Sequence, residues 1–485
     1  MPLVIGVDSS TQSTKVEVRH LGTGQVVASA SAPHPKARPP VSEQDPGAWW
    51  LALRAAIGQI DQEVRNDVVA ISIAGQQHGL VLIDGDGETV RPAKLWNDTT
   101  SAGCAADMVA SLGAHEWARR CGSVPVAAFT VTKLAWVAEH EPELLARTDR
   151  VMLPHDYLTY RLTGNHVTDR GDASGTGWFD PTSDSYCADL IGTAVPDAEQ
   201  WIGRLPRVLG PHEPAGEVAP AIANELGLPV GTIVGPGTGD NMAAALGLGL
   251  SRGDIVISLG TSGTLYAVSS TATSDPSGAV AGFADAAGGF LHLMCTLNAT
   301  GVTDTVAAWL GTDPPGLSAL ALEAPRGEVG PQLVPYFDGE RTPNLPDAAG
   351  SWFGLRTSTT REQVARSAHD GVLCGLLAGL DRLEGCGVDV GGQLRLIGGG
   401  ARSAAYRQRC ADLHGSPVLI PEISEAVAAG AALQAASIID GLSIDELSRS
   451  WNLGAGRVVE PADETGAEVR DTYDRYAAWS ETPHV

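Results

Sequence analysis

Two stretches of this chain, offset by 250 residues, carry the same device. Val7-Asp8-Ser9-Ser10-Thr11-Gln12-Ser13-Thr14-Lys15-Val16 aligns with Ile257-Ser258-Leu259-Gly260-Thr261-Ser262-Gly263-Thr264-Leu265-Tyr266, which sets Thr11 beside Thr261 and Thr14 beside Thr264. Each couples an apolar run to a hydroxyl-rich turn and a return run, the pattern of a hairpin. Short Ser/Thr/Gly hairpins also recur by chance. Their placement near the start of each half nevertheless predicts two like domains, one over residues 1–243 and one over 244–485. A length of 485 residues agrees, since a single core rarely grows so large.

Further Val/Ile-rich runs precede Gly75 and Gly235 and fill Leu394 to Ile397, each followed by Gly, Ser, Thr or Asn, and so predict buried strands that end in loops. Between them, Pro46 to Val64, Val364 to Leu383, Ser403 to Leu413 and Ser424 to Ile439 carry helical spacing of small and apolar residues. The class is α/β.

Charge narrows the partners. Lys and Arg number 32 against 57 Asp and Glu, a net −25, so the chain lacks the basic footprint of nucleic-acid or anionic-membrane binding. Any polyphosphate must therefore be held by local donors and a metal ion. The seven cysteines are scattered with no C-x-x-C pair, the opening residues carry no signal-like segment, and no apolar run has spanning length. A cytoplasmic protein is expected, with a homodimer as the candidate assembly.

Turns of Gly, Ser and Thr present backbone N–H groups and hydroxyls to phosphate oxygens where no lysine-bearing P-loop exists, and none exists here. Ser10 and Thr11 in the first turn and Gly260, Thr261 and Ser262 in the second are the candidates, with Asp8 placed to orient Mg²⁺ through its waters. Gly398-Gly399-Gly400-Ala401-Arg402-Ser403 follows a strand and opens a helix, so Gly398, Gly399, Gly400 and Ser403 join the nucleotide set. Plain β-turns and sterically required glycines are the alternative. Lys15 begins a return strand and is expected to point outward.

Gln76-Gln77-His78-Gly79 stands at the carboxyl end of the strand Ile71 to Gly75, where ligands of open α/β sheets bind. Amides and imidazole suit the vicinal hydroxyls of a neutral polyol better than an anion. Trp96-Asn97-Asp98 offers an aromatic wall beside polar groups, or else a helix cap. Asp240 and Asn241 follow a strand over Gly231 to Val234 and precede a small-residue helix. Backbone N–H groups there are expected to keep Asp240 ionised, as a base for an attacking hydroxyl or as a simple cap.

These motifs, together with Ser42-Glu43-Gln44-Asp45-Pro46, Thr130 with Lys133 and Trp136, Leu153-Pro154-His155-Asp156-Tyr157-Leu158, Asp172-Ala173-Ser174-Gly175-Thr176 and Gly339-Glu340-Arg341-Thr342-Pro343, resemble the FGGY family of carbohydrate kinases over nearly the whole chain. Within it the likeness is to the branch acting on D-xylulose. The resemblance implies an actin-like ATPase fold, two ribonuclease-H-like domains flanking a central cleft, with ATP and Mg²⁺ as cofactors. It also implies Asp240 as general base, Gln77 and His78 on the sugar, Asp8 supporting Mg²⁺, and Gly260-Thr261 with Gly398 to Gly400 on the nucleotide. Ser10, Gln77, Ala128 and His369 depart from the family's usual residues. Ribulose, glycerol or gluconate are the rival substrates, and a non-sugar actin-like ATPase is the rival class.

Overall fold

The computed structural model describes residues 1–325, 330–462 and 466–480. Its frame is two seven-stranded sheets. The first holds β1 (Leu3–Ser9), β2 (Ser13–His20), β3 (Val26–Pro33), β4 (Val68–Gly75), β5 (Gly216–Glu217), β6 (Ile233–Val234) and β7 (Thr238–Gly239). Their order is β5-β6-β4-β1-β2-β3, with β7 also on β4. The second holds β8 (Ile255–Leu259), β9 (Gly263–Ser269), β10 (Ala281–Ala284), β11 (Phe290–Thr296), β12 (Leu394–Ile397), β13 (Val418–Pro421) and β14 (Gly456–Val459). Their order is β10-β11-β9-β8-β12-β13-β14.

The two sheets repeat one plan. β1, β2 and β3 run antiparallel while β4 lies parallel to β1 and β6 parallel to β4. Likewise β8, β9 and β11 run antiparallel, with β12 parallel to β8 and β13 parallel to β12. The duplication expected from the two hairpins is therefore present, with one change. The last pair of the first hairpin is Ser9↔Thr14 and of the second Leu259↔Gly263, so the turns span four and three residues and Thr14 and Thr264 do not occupy equivalent registers.

Helices cover these sheets. We label α1 (Pro46–Gly58), α2 (Pro154–Thr163), α3 (Asp240–Gly247), α4 (Thr300–Trp309), α5 (Arg361–Gly385), α6 (Ala404–His414) and α7 (Ala426–Asp440). The helix expected from Pro46 to Val64 ends at Gly58 and restarts as the single turn Gln62–Arg65. The run from Val364 begins earlier, because Thr360 and Gln363 form a reciprocal capping box. The strand expected from Gly231 shrinks to Ile233–Val234, since Gly231 has φ +91° and Thr232 turns its hydroxyl onto Pro229.

Val4, Ile5, Val7, Ile71 and Ile73 of the first sheet, and Ile255, Ile257, Leu394 and Leu396 of the second, are fully buried. Each such side chain contributes roughly 1.5–3 kcal/mol relative to exposure. Helix α7 comes from the second half of the sequence yet packs on β1 and β4 of the first sheet and crosses α3. The crossing is close enough that a Cβ on Gly430 would lie 1.9 Å from the Ala243 carbonyl oxygen, and one on Gly247 1.9 Å from that of Ala426. Ser72 donates to Gln434 Oε1 at 2.6 Å, and Gln434 Nε2 donates to the Gly237 carbonyl at 3.1 Å, fixing the helix against the sheet. Lys15 does not simply face outward as expected: its Nζ pairs with Glu425 at 2.7 Å, just before α7. No single described helix is long and apolar enough to cross a membrane.

Candidate active site

Strand register brings the first group of predicted residues together. Asp8 is level with Ala74 and Ser9 with Gly75, while Thr238 and Gly239 are level with the same two residues from the other side. Three parallel strands thus end in line. The residues that follow them, Ser10-Thr11, Gln76-Gln77-His78 and Asp240-Asn241, emerge at one carboxyl edge.

Asp240 is the first residue of α3, with Gly239 as its cap. Its half-buried carboxylate receives Asn241 Nδ2 at 3.0 Å, and the same Nδ2 donates to Gln77 Oε1 at 2.8 Å. Burial, reinforced by the charges of Asp8 and Asp172, raises the Asp240 carboxyl to about 7. This corrects the expectation that the backbone N–H groups keep Asp240 ionised: they do pull downward, but desolvation and two neighbouring carboxylates outweigh them.

Asp8 is buried, and burial lifts it to about 6 against the pull of Lys15 across the hairpin. Its Oδ1 has no hydrogen-bond partner among the described residues. Thr11 donates to Gln76 Oε1 at 2.9 Å and accepts Trp96 Nε1 at 3.0 Å, so the first turn is tied to both sugar-side segments. Ser10 is absent from the residues with left-handed backbone, and its N–H simply closes the turn on Ser13 O at 3.0 Å, which explains why glycine is not needed there.

His78 has φ +65°, a left-handed conformation that is costly for a non-glycine residue and clusters at functional sites. Its Nδ1 bonds the Gly175 carbonyl at 2.7 Å, leaving Nε2 as the acceptor, and its ring stacks on Phe129 at 5.1 Å. Burial, followed by the charges of Lys133 and Arg341, holds the imidazole neutral, down at about 3. Trp96 is 44% exposed and Asn97 accepts the Ser42 hydroxyl at 2.7 Å. Neither Asn97 nor Asp98 caps a helix, since the next one begins at Ala102 behind Ser101.

The second group gathers on the other sheet. Ser258 is level with Ile397, so Gly260-Thr261-Ser262 and Gly398-Gly399-Gly400 leave adjacent parallel strands β8 and β12 at one edge. Gly398 has φ +86°, and a Cβ there would lie 2.5 Å from the Leu259 carbonyl oxygen. Gly399, Gly400 and Ser403 line a cavity of about 610 Å³ with Thr300, Asp304, Ser318, His369 and Tyr406. Gly260, Thr261 and Ser262 stand outside it, exposed. Ser403 caps α6 and bonds Ser318 Oγ at 2.9 Å, and His369 is buried with Nδ1 on the Ala365 carbonyl at 2.9 Å. A larger cavity, about 810 Å³, lies between the loop 342–348, α5 and the helix Gly466–Ser480 and holds none of the predicted residues.

Three residues were named in motifs but given no role. Arg341 follows Glu340, whose carboxylate is held by the Leu297 N–H at 2.6 Å and Asn298 Nδ2 at 3.0 Å, so the second half anchors a cation whose charge is felt at His78. His155 and Asp172 lie buried beneath the first edge. No local signal separates such residues from ordinary loop polars.

Among solved structures, the chain is similar to xylulose kinase from Bifidobacterium adolescentis, with TM-score 0.86, 38% identity and coverage of 98% of this chain and 99% of that one. The fold and the relatives together define a phosphotransferase with an alcohol acceptor, built on the actin-like ATPase fold with two ribonuclease-H-like domains about a cleft. Residues 3–247 match the N-terminal domain and 255–438 the C-terminal domain of the FGGY family of carbohydrate kinases. The chain is 49% identical over 477 residues to a xylulose kinase of Streptomyces rubiginosus, covering 98% of this chain and 95% of that protein. It is 37% identical to a xylulose kinase of Escherichia coli strain K12 over 85% of each. The chain belongs to the FGGY family of carbohydrate kinases, whose phosphoryl donor is ATP.

Proposed function

We propose that this kinase transfers the γ-phosphoryl group of ATP to D-xylulose, giving D-xylulose 5-phosphate and ADP. The observation that carries the reading is Asp240: a carboxylate at a strand-end edge, linked through Asn241 to Gln77 and two residues beyond Thr238, which is level with Asp8, on a chain about half identical to a xylulose kinase. The same likeness favours xylulose over ribulose, glycerol or gluconate, and a non-sugar ATPase leaves Gln77 and His78 without a ligand.

In this mechanism Asp240 takes the proton of the primary hydroxyl as that oxygen attacks the γ-phosphorus in line. Gln77, His78 and Asn241 orient the sugar hydroxyls, with Trp96 and Asn97 on the rim. Ser10, Thr11, Gly260, Thr261 and Ser262 meet the phosphates, and Gly398 to Gly400 with Ser403 receive the nucleoside. Asp8 fits a hydrated Mg²⁺, because its buried carboxylate keeps one oxygen without a partner among the described residues. Mg²⁺, when bound, supplies neutralisation of the phosphate charge. The two domains, divided near residues 243 and 244, close on the ligands and exclude water. The seven free cysteines support a cytoplasmic setting.

The test is a panel of D-xylulose, D-ribulose, glycerol and gluconate with ATP, the products identified by phosphorus NMR. A 5-phosphate of D-xylulose formed at the highest kcat/KM supports the assignment, and preference for another acceptor rejects it.

Two further outcomes follow from the geometry. Because the base works only when ionised and its carboxyl sits at about 7, kcat/KM should fall about tenfold per pH unit on the acid side of that value. A profile flat from pH 5 to 8 would exclude Asp240. Gly398→Ala places a methyl group against the Leu259 carbonyl, so the ATP KM should rise by at least about tenfold while the sugar KM stays within about twofold.

A further inference from the structure

We propose that His155 and Asp172 form a positioning pair for the sugar site, their charged hydrogen bond fixing the Gln77 amide and the turn that carries Asp240. The inference rests on the sugar-kinase reading above and names what holds that site in place.

His155, on α2, is completely buried, and its Nδ1 donates to Asp172 Oδ2 at 2.8 Å. Two more carboxylates face the ring, Asp156 Oδ1 at 3.1 Å and Asp169 Oδ1 at 3.8 Å from Nε2. An imidazole among three buried carboxylates is held as the cation, raised to about 9 despite desolvation. The ring lies under both segments that carry the site. A Cβ on Gly237 would come within 2.4 Å of His155 Cδ2, and one on Gly75 within 3.0 Å of His155 Cβ. His155 therefore packs against the backbone just before Gln76-Gln77 and just before Thr238 to Asp240.

Polar links run upward from the same cluster. Asp172 is wholly buried and faces the Gln77 amide and the His78 backbone N–H. Its Oδ1 and Gln77 Nε2 have no hydrogen-bond partner among the described residues. Gln77 Oε1 accepts from Asn241 Nδ2, which also donates to Asp240. A second link passes through Asp169, which accepts the Thr238 hydroxyl at 2.7 Å, two residues before Asp240. A negative charge at Asp172 favours, through its field and not through a hydrogen bond, the orientation in which the NH₂ end of Gln77 faces it while the carbonyl end accepts from Asn241. Without the imidazolium, Asp172 becomes an uncompensated buried charge that must take up a proton or move, and the amide loses its orientation.

The nucleotide loops lie on the other sheet, so a positioning role predicts a split in kinetic constants. The test compares His155→Gln, His155→Lys and Asp172→Asn in the full chain, with kcat and both KM values. His155→Gln and Asp172→Asn should each raise the D-xylulose KM at least about tenfold, with the ATP KM within about twofold. His155→Lys, which keeps the positive charge, should recover most of that loss. A sugar KM unchanged in both neutral variants overturns the proposal. So does a parallel rise of both KM values with no recovery by lysine, the mark of a structural role. If His155→Gln does not fold, Asp172→Asn decides alone. Should the wild type prefer another polyol, the xylulose reading fails, and the same split measured with that polyol still judges the pair.

Discussion

Asp240→Ala should lower turnover by about 10²- to 10⁴-fold, the usual contribution of a positioned general base. The loss belongs in kcat, because the proton is accepted only as the oxygen attacks, and a group acting only in the transition state leaves ground-state affinity nearly intact. Asp240→Asn is the sharper variant. It keeps the shape that Asn241 packs against, so the Gln77 clamp has reason to persist while the proton acceptor is gone. Rapid-quench single-turnover measurement checks this directly. Loss of rate with sugar binding retained supports the role, and near-full rates in both variants reject it.

Gly430→Ala should destabilise the folded chain by about 3 kcal/mol, the upper end of ordinary overpacking. The added methyl group points at the Ala243 carbonyl oxygen from 1.9 Å, and that atom belongs to the backbone of α3, which has no rotamer with which to escape. Facing it, Gly247 meets Ala426 of α7 just as closely, so the two helices cannot spread at one point without disturbing the other. Since α3 begins at Asp240, the shift should also lower activity. Gly385→Ala is the control: it ends α5 with nothing within 4 Å, and alanine there should be neutral or slightly stabilising. Urea denaturation of the three proteins reads the comparison, and equal midpoints would mean that the crossing is looser than described.

How far the sequence reaches into this architecture can be judged from individual segments. Strands such as Ile255–Leu259 and Leu394–Ile397 were legible at their ends, because short runs of mainly apolar residues followed by glycine suit buried strands of a sheet. The repeated hairpin was legible too, although its one-residue difference in turn length was not, since register depends on pairing geometry absent from a list of residues. Gly430 and Gly247 passed unnoticed as ordinary small helix residues. Their purpose appears only when α7, far along the chain, is laid across α3. Asp240 was found by its place after a strand and before a helix, but its raised pKa comes first from burial and then from Asp8 and Asp172, 232 and 68 residues away in sequence. His155 and Asp172 stood in motifs without a role, because Asp156 and Asp169, close to them in the chain, do not by themselves show that all three carboxylates close on one imidazole.

The most direct measurement is ATP turnover by one preparation with and without D-xylulose. Phosphoryl transfer to a bound sugar predicts ADP formation that rises at least about 100-fold when D-xylulose is added, because an in-line attack requires the oriented hydroxyl. ADP formation at the same rate with and without the sugar would contradict the account.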